Sequence, residues 1–127
     1  MRLVLIDTCI WIPFFNRPHS AEKKAVDTLL DDDRAALIGP MVAEILQGIP
    51  REAQANSVAS LLRGVRCLET IWEDWPEAAR LGRRLAAGHR LQLSDLILAA
   101  VSLRLDAEVY TSDPHFDLIP ELKRSSA

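Results

Sequence analysis

The chain has 127 residues, 49% of them hydrophobic and 26% charged, with a formal net charge of −3. This length suits one domain around a single core, and the composition argues against disorder. The first apolar run is too short for a signal-peptide core and no segment is long enough to span a bilayer, so a cytoplasmic location is expected.

The chain reads as one domain over residues 1–127, without repeats or linkers. Leu3-Val4-Leu5-Ile6 is continuously apolar, as a parallel strand covered on both faces would be, and stops at Asp7-Thr8. A short helix is expected through Trp11-Ile12-Pro13-Phe14-Phe15 and breaks at Asn16-Arg17-Pro18. Ser20 can cap a second helix whose stripe is Ala25, Val26, Leu29 and Leu30. Asp31-Asp32-Asp33 ends it, and Ala35–Ile38 is a second strand.

Gly39-Pro40 then opens a helix through Met41, Ile45 and Leu46, closed by Gly48. Ala53–Leu62 reads as a helix and Val65–Leu68 as a strand. A long helix is expected from Trp75 to about Arg90, with Ala78, Leu81 and Leu85 inward. Ser94 is the expected cap of the next helix, whose apolar face is Leu96, Ile97, Ala100, Val101 and Leu103. Glu108–Ser112 is a strand that stops at Asp113, and Leu122–Arg124 is a candidate edge strand. Strands alternating with helices predict an α/β fold: a three-layer α/β/α sandwich on a mainly parallel sheet of four to five strands.

Two of these strands deliver an acid where they run out, Asp7 and Asp113, and that edge of an open α/β sheet is where ligands bind. Glu44 and Asp95 add two more acids beside helix starts in apolar surroundings. Each has a plain explanation taken singly. Asp7 suits a helix cap, Asp95 the dipole of a first turn, and Asp113 before Pro114 a turn. Glu44 is harder to explain so, because Val42, Ala43, Ile45 and Leu46 leave it little solvent-facing arc. Together the four suggest a metal site, since clustered carboxylates repel unless a cation neutralises them. Setting them aside leaves 15 basic against 14 acidic residues, so the remaining surface is nearly balanced.

Leu5-Ile6-Asp7-Thr8, Val42-Ala43-Glu44-Ile45, Leu93-Ser94-Asp95 and Tyr110-Thr111-Ser112-Asp113 with His115-Phe116 resemble, in order and separation, the PIN-domain nucleases. The similarity is greatest to the VapC-type ribonuclease toxins of bacterial toxin–antitoxin pairs, and it extends over essentially the whole chain. It implies a PIN-like fold and an endoribonuclease in which Asp7, Glu44, Asp95 and Asp113 hold one or two Mg²⁺ or Mn²⁺ ions. Metal-activated water would then cut an RNA phosphodiester to leave a 5′-phosphate and a 3′-hydroxyl. Thr8 and Ser112 would hydrogen-bond the ligating carboxylates or bound water, and Asp117 would share or replace the role of Asp113. An RNA substrate, a cognate antitoxin and a homodimer are the implied partners, with no membrane.

A catalytically silent PIN-fold binding module and a housekeeping RNA-processing nuclease are the alternatives. A receiver-type phosphoacceptor domain lacks its central aspartate here, since the middle strand ends Leu68-Glu69-Thr70. A haloacid-dehalogenase-like phosphatase would want Asp-x-Asp where this chain has Asp7-Thr8-Cys9.

Arg80 and Arg84, with Arg90 just beyond, could rim an RNA groove. The plainer reading is a solvated helix face with Glu77 paired to an arginine. Trp11, Ile12, Phe14 and Phe15 crowd one short helix and suggest a partner surface beyond the core. Trp72 and Trp75 are expected mainly in core packing. Cys9 and Cys67 lack metal-ligand spacing and are expected to be small core residues.

Overall fold

The computed structural model describes residues 1–85 and 88–125. Its elements alternate as the sequence implies: β1 Val4–Ile6, α1 Thr8–Asn16, α2 Ala21–Asp31, β2 Ala35–Ile38, α3 Gly39–Gln47, α4 Glu52–Arg63 and β3 Arg66–Leu68. Then come α5 Asp74–Arg84, α6 Leu93–Leu105, β4 Glu108–Tyr110, a 3₁₀ turn Pro114–Leu118 and β5 Lys123–Arg124. The five strands form one sheet in the order β3-β2-β1-β4-β5. Every pairing is parallel, with Leu5 opposite Ala36 on one side and Val109 on the other. The mainly parallel sheet expected from sequence is thus wholly parallel.

Two cores sandwich the sheet because alternate strand residues point to opposite faces. Leu5, Ala36, Ile38 and Val109 pack on one side with Ala78 and Leu81 of α5 and with α6. Val4, Ile6, Ala35 and Leu37 pack on the other with Ile10, Trp11, Val26, Leu29, Ile45, Val58 and Leu62. Each strand of the centre is therefore apolar without alternation.

Local signals explain most boundaries. Ser20 Oγ accepts from the Lys23 N–H at 3.0 Å and starts α2. Asp33 takes φ of +56°, a left-handed turn that aspartate tolerates better than most side chains, before β2 begins. Several expectations need correcting. Gln92, not Ser94, is the N-cap of α6. That helix is buried on all sides from Leu96 to Ser102 instead of presenting one apolar face, because it lies between α5 and the sheet. Helix α5 stops at Arg84, where Leu85 is already extended, well short of Arg90, and the stretch 86–87 lies outside the described residues.

Cys67 and Trp72 are exposed, and Trp75 is 45% exposed, so none of the three is a core residue. Trp11, by contrast, is 1% exposed, donates from its indole N–H to the Ile6 carbonyl at 3.0 Å, and packs against Phe14 and Phe15. Most of the aromatic bulk on α1 is core.

Asp74 at the start of α5 is almost wholly buried, with 2% of its side chain exposed. It receives two hydrogen bonds from Arg104, at 2.9 and 3.0 Å, and one from the Ile71 N–H. These bonds and the adjacent guanidinium hold its carboxyl below the usual range against the opposing effect of burial. Arg104 also reaches the Glu69 carbonyl, so one arginine ties α6 to the loop between β3 and α5.

Candidate active site

Strand order reverses direction at β1, whose neighbours are β2 on one side and β4 on the other. The C-terminal ends of β1 and β4 frame the crevice where such sheets bind ligands. Asp7 lies at the first of these ends and Asp113 just past the second.

The Asp7 N–H still donates to the Tyr110 carbonyl at 3.0 Å, continuing the ladder, while its side chain caps α1 by accepting from the Thr8 N–H at 2.8 Å. The cap and the acid are the same group, so the two sequence readings of Asp7 do not compete. Its other oxygen accepts from Thr111 Oγ1 at 2.8 Å and from the Cys9 thiol at 3.3 Å. Thr8 Oγ1 turns to Met41 Sδ at 3.0 Å and to Glu44 Oε1 at 3.4 Å. Helix α3, started by Pro40 in its first turn, carries Glu44 to this point.

Asp95 in the first turn of α6 reaches back to the Gln92 N–H at 2.8 Å. Burial raises its carboxyl to about 6, opposed by that hydrogen bond and reinforced by the charges of Asp7, Glu44 and Asp113. All four sequence-predicted acids therefore share one electrostatic neighbourhood. Asp113 differs. Partial burial pushes it up, but the His115 N–H at 2.9 Å, the His115 ring at 2.7 Å and the charges of His115 and Arg124 hold it below its ordinary value.

Other predicted residues sit elsewhere. Asp117 is exposed and paired with Arg124. Ser112 hydrogen-bonds the Cys9 sulfur from both its N–H and its hydroxyl, not a carboxylate. Arg80 is paired with Glu77, and Arg84 bridges to Glu121 through two hydrogen bonds of 2.9 and 3.1 Å. Arg90 is exposed and makes no ion pair among the described residues.

Sequence reasoning missed Thr111 and Cys9, and it favoured a surface turn residue for His115, with a phosphate contact near Asp113 as the alternative, where the structure bonds it to Asp113 itself. Thr111 is 6% exposed, donates to Asp7 and accepts from the Asp113 N–H at 3.0 Å, linking both acids. Its signal was strand parity, since it follows buried Val109 by two and so faces the same side. Cys9, expected as a core filler, is half-buried against Asp7, and its thiol is pushed up by burial and by that carboxylate.

Asp7, Glu44, Asp95 and Asp113 offer only hard oxygen donors, the set that Mg²⁺ and Mn²⁺ prefer. The mutual repulsion felt by Asp95 is what a bound cation relieves, so the residues fit such an ion chemically. Their spacing is open: among the described residues no three His, Cys, Asp or Glu side chains stand close enough to hold a metal as they are.

The PIN domain family model matches residues 4–122, and the chain belongs to that family. It is 28% identical to the VapC ribonuclease Mb1587 of Mycobacterium bovis, covering 98% of this chain and 97% of that protein. The ribonuclease VapC11 of Mycobacterium tuberculosis matches to the same extent. Among solved structures, VapBC2 from Rickettsia felis bound to a DNA fragment of its promoter superposes with a TM-score of 0.81 at 17% identity, over 97% of each chain. VapBC-1 from nontypeable Haemophilus influenzae superposes with 0.79 at 22% identity, over 97% and 96%. The chain is thus a PIN-domain protein related to VapC ribonucleases. No helix among the described residues is long and apolar enough to cross a membrane.

Proposed function

We propose that this protein is a metal-dependent endoribonuclease, the toxin of a toxin–antitoxin pair, which hydrolyses RNA phosphodiesters to leave a 5′-phosphate and a 3′-hydroxyl. One observation carries the reading: Asp7, Glu44, Asp95 and Asp113 gather at the sheet's ligand-binding edge, near enough that the charges of the other three add to burial in raising the Asp95 carboxyl. Names shared by its relatives support it, since both mycobacterial proteins are called ribonucleases and the solved neighbours are toxin–antitoxin complexes.

Asp7, Glu44, Asp95 and Asp113 would hold Mg²⁺ or Mn²⁺. Bound there, the ion would supply Lewis acidity to the phosphodiester and to an attacking water. Thr111 fixes the rotamer of Asp7 and ties it to the loop bearing Asp113. Thr8 steadies Glu44. His115 occupies one oxygen of Asp113 and leaves the other available for a ligand. Arg90 would contact RNA phosphate directly, whereas Arg80 and Arg84 would do so only by leaving Glu77 and Glu121. The protein would act as a homodimer silenced by a cognate antitoxin.

The open spacing of the carboxylates favours one competing reading, a PIN-fold binding module without turnover. Mapping of RNA 5′ ends after brief induction, with Asp7→Asn as control, separates the two. New 5′-phosphate ends only in the wild type support the nuclease. Identical ends in both, or none in either, leave the binding module.

A further inference from the structure

The sheet's ligand-binding edge extends beyond the acids. Because all strands are parallel, the ends of β2 and β3 open on the same edge as those of β1 and β4. There Gly39, Pro40, Leu68, Glu69, Thr70 and Trp75 line an open cleft of about 320 Å³. Trp75 is 45% exposed, and Trp72 beside it is 76% exposed. A side chain at Gly39 would meet nothing within 4 Å of its Cβ, so there is free space beside this lining residue.

We propose that this cleft is a base-binding subsite of the nuclease, taking one unstacked nucleobase of single-stranded RNA beside the scissile phosphate; the proposal rests on the ribonuclease reading above. Three arguments carry it. β3 lies two strand spacings from β1, about 10 Å, so a strand crossing the acids brings its neighbouring nucleotide over the cleft. Single-stranded RNA is recognised by splaying bases onto aromatic rings, and Trp75, 45% exposed, offers part of such a ring to the cleft it lines. The charge at the cleft disfavours a phosphate: Glu69 lines it, Glu73 is exposed on the same loop, and Arg104, which reaches this loop from α6, is held by Asp74.

A carboxylate at the lip instead accepts from an exocyclic amine, as acidic side chains do from the N4 amine of cytosine. The subsite therefore prefers bases that carry an exocyclic amine, adenine, cytosine and guanine, over uracil, which has none.

The test uses the intact protein with Mg²⁺ and short fluorescent oligo(A), oligo(C) and oligo(U), read by anisotropy, beside cleavage and sedimentation of the same samples. Wild type should bind oligo(A) and oligo(C) more tightly than oligo(U). Trp75→Ala should weaken oligo(A) binding about tenfold, Trp75→Phe should restore most of it, and Gly39→Val should block the cleft with the tryptophan in place. Glu69→Gln should reduce the preference over oligo(U). Unchanged affinity in both Trp75→Ala and Gly39→Val overturns the proposal, as does failure of the wild type to bind any of the three. A Trp75→Ala protein that loses a dimer, with RNA affinity lost only in proportion, assigns the cleft to self-association and overturns it too. Tight, Trp75-dependent binding without any cleavage would leave the subsite standing and remove the nuclease reading.

Discussion

Thr111 and Asp7, 104 positions apart, are joined by a 2.8 Å hydrogen bond from the threonine hydroxyl to the aspartate carboxylate. The same hydroxyl accepts from the Asp113 N–H, so the loop after β4 is registered against the loop after β1 through one oxygen. Partners that orient ligating groups typically matter by about 10- to 100-fold in metal affinity or activity. Thr111→Val should lose activity on that scale with its fold intact, and Thr111→Ser should recover it. Calorimetric Mg²⁺ titration beside the nuclease assay checks this; equal metal affinity in Thr111→Val would remove the positioning role.

Asp95 sets a pH dependence. Its folded value of about 6 lies above its ordinary 3.8. Protonation is therefore favoured in the folded state, and the stability it contributes is complete below the ordinary value and lost as pH rises through about 6. In metal-free protein the melting temperature of wild type should gain on that of Asp95→Asn as pH falls through this window. Parallel melting curves across that range would contradict the repulsive cluster.

Asp7→Asn tests the cation from the other side. Asparagine ranks with aspartate as a helix cap, so α1 should still start at Thr8. Mg²⁺ or Mn²⁺ should raise the melting temperature of the wild type and do so much less in the variant, while cleavage falls to background. EDTA-resistant activity in the variant would end the metal assignment.

The Asp74–Arg104 pair carries a structural prediction. Removing the arginine strands a buried carboxylate, and breaking such pairs costs about 3–5 kcal/mol. Arg104→Leu should be destabilised on that scale in urea unfolding, and adding Asp74→Asn should return part of the loss. No recovery in the double variant would mean that Arg104 acts through the Glu69 carbonyl instead.

Much of this was legible in the sequence, for physical reasons. Val4–Ile6 and Ala35–Ile38 are apolar without alternation, and only a sheet covered on both faces hides such strands. The acids stood out by position, Asp7 and Asp113 where a strand runs out and Glu44 and Asp95 beside apolar helical residues, and the charges of the other three do reach Asp95. What hydroxyls and sulfur do was not legible: strand parity turns Thr111 to the side of Val109, but whether Thr111, Ser112 or Cys9 then meets a carboxylate depends on which strand lies beside β1, and periodicity is silent on that. The start of α6 was misread because Ser94 has the better capping chemistry, yet Asp95 reaches back to Gln92. Trp72 and Trp75 were assigned to the core by their hydrophobicity, which says how much a side chain gains from burial but not whether a neighbour exists to bury it.

Both margins of the sheet are short and basic. β3 shows Arg66, β5 is only Lys123 and Arg124, and their charges are engaged by Asp33, Asp106 and Asp117. Brief edge strands bearing basic side chains resist strand-to-strand addition. A second copy or an antitoxin is therefore expected to approach over helices or loops, and assemblies of this protein should not grow into a continuous sheet running from one subunit to the next.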